Sequence, residues 1–113
     1  VKFTPLSIPD VFVIEPDVFF DDRGFVMETY HELKFKKAGI THPFVQENHS
    51  HSKQGVLRGM HYQVGQAQGK LVRVISGEVY DVLVDLRRSS PTFKLWSGVV
   101  LSDANRCMVW APP

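Results

Sequence analysis

Short apolar runs recur roughly every 8–12 residues along this chain, and glycine, proline or paired serine closes each one. The runs fall at residues 11–14, 25–30, 56–63, 71–75, 79–86, 96–101 and 108–110. They are too short for helices and rich in β-branched and aromatic residues, so they read as strands. Many short strands with this punctuation predict an all-β antiparallel sandwich or barrel. The one helical pattern covers residues 32–38. Its lysines, Lys34, Lys36 and Lys37, sit where the helix dipole favours cations, and Gly39 follows at the C′ position. Residues 21–24, Asp-Asp-Arg-Gly, read as a turn. The clearest hairpin joins 71–75 to 79–86 through Ser76-Gly77. In its second arm Tyr80, Val82, Val84 and Leu86 share an apolar face, and Val79, Asp81, Leu83 and Asp85 share the other. Residues 44–50 read as extended and polar.

The 113 residues, 43% of them hydrophobic, suffice for one core and not for two, so 1–113 is expected to be a single domain. A formal net charge of +1 provides no long-range field for nucleic acid or an anionic membrane surface. Residues 1–57 carry 6 basic and 8 acidic side chains, and residues 58–113 carry 7 and 4. The second part is mildly basic, which suits one anionic small molecule. The single cysteine, Cys107, forbids an internal disulfide and points to a reducing, cytoplasmic setting. No apolar run approaches the ~20 residues of a membrane helix, and no leader-like pattern opens these residues. The start at Val1 and the stop at Ala111-Pro112-Pro113 read as cuts in a longer chain.

Four polar constellations interrupt the apolar pattern. His49 and His51 lie two residues apart on one face of an extended segment, a spacing that suits either a metal or a polar loop start. Arg58, His61 and Gln63 stand inside the run Gly55-Val56-Leu57-Arg58-Gly59-Met60-His61-Tyr62-Gln63. They line either a pocket or a wet edge, and a bulge at Gly59 would bring Arg58 and His61 to one side. Lys70 opens a strand, where its cation is either solvated or aimed into a cavity. Gln46, Asn48 and Ser50 share a face that suits a hydrogen-bonding wall or solvent, and Glu47 points away between them.

In order, the strings Asp22-Arg23-Gly24-Phe25, Gln46-Glu47-Asn48-His49-Ser50, Leu57-Arg58-Gly59-Met60-His61-Tyr62-Gln63, Gln68-Gly69-Lys70-Leu71-Val72-Arg73 and Ser90-Pro91-Thr92-Phe93 closely resemble the bacterial dTDP-4-dehydrorhamnose 3,5-epimerase family. The resemblance implies a cupin-like antiparallel jelly roll with one short helix. It also implies a homodimer acting on dTDP-4-dehydro-6-deoxy-glucose in dTDP-L-rhamnose synthesis, with no cofactor. His61 would be the proton acceptor and Lys70 the cation at the enolate. Arg58 would line the same pocket, Arg23 and Glu28 would contact the nucleotide, and Gln46 and Asn48 would contact the ligand. Glu47 would offer its backbone. Metal cupins carry Gly, five residues, His-x-His, then Glu after three or four more. Here Gly55 and His61 fit, but Gln63 and Gln68 take the next two ligand positions, and neutral amides are poor ligands for a transition metal. A metal-free site is expected.

The resemblance places the carboxylate partner of His61 and a catalytic tyrosine acid beyond residue 113. It implies that these residues cover the N-terminal part of a longer domain and are inactive alone. Three other readings stay open: an epimerase acting only at C3 or only at C5, a non-catalytic sugar-nucleotide-binding cupin, and a metal-dependent cupin.

Overall fold

The computed structural model describes residues 1–113. Eight strands and one helix form in the order β1 (Lys2–Pro5), β2 (Phe12–Glu15), β3 (Val18–Asp21), β4 (Gly24–Met27), α1 (Glu32–Lys37), β5 (Lys70–Arg73), β6 (Glu78–Val84), β7 (Trp96–Ser102) and β8 (Met108–Ala111). All pairing is antiparallel. One sheet runs β1-β2-β8-β5, while β3-β4 and β6-β7 form separate ribbons. The all-β antiparallel class with one short helix is therefore the observed one.

Strand β8 is central to the packing because both of its faces are buried. Met108 and Trp110 point to one side and join Ile14, Phe35 and Ile40 under α1. Val109 points to the other and joins Ile8, Val11 and Leu101, with Val72, Val74, Leu83 and Val99 packed around them. A strand covered on both faces reads as an unbroken apolar run, and Met108-Val109-Trp110 is one. Helix α1 begins without a side-chain cap at His31 and buries only Phe35. Gly39 ends it at φ 93°, in the left-handed region that glycine adopts without steric cost.

Three expectations fail. Residues 71–75 and 79–86 do not pair with each other. Strand β5 pairs with β8, with Val72 opposite Val109, and β6 pairs with β7, with Asp81 opposite Val99. Ser76-Gly77 instead carries the chain from one sheet to the other. Asp103 pins that crossing: its carboxylate accepts the Gly77 N–H at 2.9 Å, and its own N–H donates to the Gly77 carbonyl at 3.1 Å.

The buried face of β6 is also the opposite of the apolar one. Leu83 packs inward and Asp85 is buried, whereas Tyr80 is 61% exposed and lies against Gly98. A charged group can take the inner face because Asp85 is fully partnered. Its carboxylate accepts from Arg87 Nε at 3.0 Å, Ser90 Oγ at 2.6 Å and Thr92 Oγ1 at 2.7 Å. Arg87 also donates to the Pro9 carbonyl at 2.8 Å and so fastens the β6–β7 ribbon to the β1–β2 connection.

The Arg87 guanidinium, with help from the two hydroxyls, holds the Asp85 carboxyl far below the usual carboxylate range. A depressed carboxyl contributes stability above its unfolded pKa of ~3.9 and loses it as pH falls toward the folded value. Asp85→Asn is therefore expected to cost about 3 kcal/mol at pH 7, because it leaves the half-buried Arg87 with only the exposed and more distant Asp10, at 3.3 Å, as its anion. Thermal unfolding at pH 7 and pH 3 checks this, and the gap between wild type and variant should narrow at pH 3.

The third failure concerns residues 43–69. No ladder forms there, so neither 44–50 nor 56–63 is a strand. Residues 53–56 make a turn, with the Val56 N–H donating to the Lys53 carbonyl at 3.3 Å.

Candidate active site

Trp110 holds both ends of the segment that carries most of the candidate residues. At the near end the Phe44 ring meets Trp110 edge-on at 5.7 Å and Tyr30 at 5.2 Å, and Tyr30 in turn meets Phe35 of α1 at 4.9 Å. At the far end Gly69 lies so close to the Trp110 ring that any added Cβ would overlap it. Only glycine lets the backbone cross that ring and enter β5 at Lys70. Residues 45–68 thus leave the core at Trp110 and return to it.

Within this excursion Gln46 Nε2 donates to Asn48 Oδ1 at 3.1 Å, so the two amides share one side, as alternation predicts. Glu47 is exposed between them. Arg58 is committed locally: Nε donates to Ser52 Oγ at 2.8 Å and a terminal nitrogen donates to the His51 carbonyl at 3.1 Å. His61 is exposed, as are His49 and His51. No three His, Cys, Asp or Glu side chains converge anywhere in the chain. Lys70 stands opposite Ala111 at the head of β5 and shares a face with Val72, which packs into the space between the sheets. No hydrogen bond joins Arg58 to His61 or Lys70.

The two remaining candidates sit on and after the β3–β4 ribbon, and each has an ionic partner. Arg23 occupies the turn and is paired with Asp21 at 2.6 Å. Glu28 accepts from Lys34 of α1 at 2.6 Å, and this hydrogen bond lowers the Glu28 pKa below its ordinary value. Sequence reasoning missed both partners. A signal was available for Asp21, an acid two residues before an arginine in a turn. None was available for Lys34, which meets Glu28 only because the connection from β4 turns the chain so that α1 comes back to it.

Two clefts lie elsewhere. One of about 170 Å³ is bordered by His42 and Trp110. One of about 510 Å³ is bordered by Phe25, Arg73 and Arg106. Neither contains His61, Lys70 or Arg58.

The fold and the motif residues together define a small antiparallel β-sandwich that carries amide, imidazole and guanidinium side chains along one excursion and a lysine where the chain re-enters the sheet. The family model for dTDP-4-dehydrorhamnose 3,5-epimerase matches residues 5–113. The chain is 58% identical over 114 residues to a dTDP-4-dehydrorhamnose 3,5-epimerase of Pseudomonas aeruginosa, covering 99% of this chain and 62% of that protein. The Bacillus anthracis epimerase structure with TDP and PPi bound superposes with a TM-score of 0.94 at 43% identity, covering 98% of this chain and 65% of that one. The Legionella pneumophila epimerase in complex with dTDP-4-keto-L-rhamnose gives a TM-score of 0.94 at 47% identity, covering 98% and 60%. The chain belongs to the dTDP-4-dehydrorhamnose 3,5-epimerase family. It spans about three-fifths of the length of these relatives. No helix is long and apolar enough to cross a membrane.

Proposed function

We propose that the protein epimerises dTDP-4-dehydro-6-deoxy-glucose at C3 and C5, with residues 1–113 forming part of a single cupin-like domain. The observation that carries this reading is the family match over residues 5–113, which includes every candidate residue. Both epimerised carbons are α to the C4 ketone. At each, a base removes the proton, the electron pair forms an enolate with its charge on O4, and an acid returns a proton to the opposite face. His61 takes the proton. Lys70 carries a fixed cation at O4, where charge develops. Arg58 offers a planar fork of donors to sugar or phosphate oxygens. Gln46 and Asn48 hydrogen-bond the ligand, Glu47 offers its backbone, and Arg23 and Glu28 hold the nucleotide. By the family resemblance the returning acid lies outside residues 1–113. The chemistry calls for no redox cofactor.

A homodimer is part of the proposal. The β3–β4 ribbon leaves the cross-strand pair Phe19 and Val26 at 67% and 72% exposure on one face, an apolar patch that a second copy would cover. A cytoplasmic setting agrees with the free Cys107 thiol.

The test follows the substrate's C3 and C5 protons in deuterated water, using the protein as its gene encodes it. Deuterium entering at both carbons, together with the inverted product, supports the two-centre reaction. Entry at C3 alone or C5 alone would replace it with a one-centre epimerase. Tight nucleotide-sugar binding without any exchange would make the protein a binder.

A further inference from the structure

We propose that Asp21 is the positioning residue for Arg23, holding its guanidinium with one edge turned outward for the diphosphate of the nucleotide sugar. The proposal rests on the nucleotide-binding role assigned to Arg23 above.

The two oxygens of Asp21 divide the task. Oδ1 accepts the backbone N–H of Arg23 at 2.8 Å and closes the turn between β3 and β4. Oδ2 accepts from Arg23 Nε at 3.1 Å and from Nη2 at 2.6 Å. No other side chain pairs with this guanidinium, and the Arg23 side chain is 90% exposed, so packing does nothing to order it. An arginine in that state samples many rotamers, and a ligand that needs one of them must pay for the ordering. Asp21 does the ordering in advance. It occupies Nε and one N–H of Nη2, which leaves Nη1 and the other N–H of Nη2 pointing away from the carboxylate. Those are the donors that grip two oxygens of a phosphate side by side.

The carboxylate stays ionised to do this. The Arg23 side chain, with its backbone N–H, holds the Asp21 pKa below the ordinary carboxylate value. Its repulsion of an incoming anion is weak, because both charges sit in water and are screened.

Asparagine separates the two roles. Asp21→Asn keeps Oδ1 for the turn and replaces Oδ2 with an amide donor that cannot hold a guanidinium. The variant is compared with wild type, Arg23→Ala and the double variant, all in the protein as its gene encodes it. KM and kcat are measured for dTDP-4-dehydro-6-deoxy-glucose, and Kd for dTDP by calorimetry. Asp21→Asn is expected to raise KM and the dTDP Kd about threefold to tenfold with kcat unchanged. The same change in the Arg23→Ala background is expected to do nothing, because the group being positioned is gone.

An unchanged or lower KM in Asp21→Asn overturns the proposal. So does an equal effect in both backgrounds, which would assign Asp21 to the turn alone. If Arg23→Ala itself leaves KM unchanged, the nucleotide role of Arg23 fails, and the positioning role fails with it. Loss of kcat in Asp21→Asn at constant KM would also count against the proposal.

Discussion

Replacing His61 with alanine is expected to lower turnover by about a hundredfold to ten-thousandfold while leaving nucleotide-sugar binding within about twofold. A general base interacts with the substrate proton only as that proton leaves. Its loss therefore falls on the transition state and not on the ground state. Histidine suits the task because a neutral imidazole carries a free ring nitrogen that can take the proton. The structure makes the variant easy to interpret. His61 is exposed on a stretch without ladder pairing, so alanine removes no core contact there. Thermal unfolding should match wild type, which separates a chemical defect from misfolding. The decisive measurement is deuterium entry at C3 and C5. Near-wild-type exchange in His61→Ala would remove histidine from the base role, even if net epimerisation were slow for another reason.

The elements legible in the sequence were those fixed by local pattern. Strand β2, strands β7 and β8, the helix with its terminal Gly39 and the turn at residues 21–24 each follow from apolar runs and a punctuating residue. Strands β1 and β3 went unseen. Each has four residues, β1 ends in a proline, and neither alternates clearly. The supposed hairpin failed for a different reason. Ser76-Gly77 does mark a bend, but a bend does not say whether the next strand stays in its sheet. The partner of β5 is β8, far along the chain. The inverted face of β6 has the same origin: nothing in β6 itself tells that Arg87, Ser90 and Thr92 will satisfy Asp85.

The candidate site divides along the same line. Arg58, His61 and Lys70 stood out as polar groups in apolar surroundings and Gln46 and Asn48 as a same-face polar row, and the family resemblance added Arg23, Glu28 and Glu47. What holds them did not stand out. Ser52 under Arg58, Lys34 beside Glu28 and Trp110 at both ends of the 45–68 excursion are contacts of the folded chain. Residues 56–63 show the limit most clearly. Their pattern is that of a strand, yet a strand exists only where another lies beside it, and here no ladder forms.

Lys70 yields the second large effect, and its form is more informative than its size. Lys70→Met keeps most of the side-chain volume and removes the cation. The loss of one electrostatic donor at a developing oxyanion is expected to lower turnover about a hundredfold to a thousandfold. The position tolerates the change, since Lys70 is exposed at the head of β5 and the backbone pairing with Ala111 does not depend on its side chain. C3 and C5 flank the same carbonyl, so the two enolates place their charge on the same oxygen. A cation at O4 therefore serves both steps. Lys70→Met should slow deuterium entry at C3 and at C5 by the same factor, and Lys70→Arg should recover part of both. A base or acid assigned to one carbon would instead slow one centre more than the other. Unequal loss in Lys70→Met would move the lysine away from O4. Equal loss would leave the common oxygen as the only atom at which its charge can act on both.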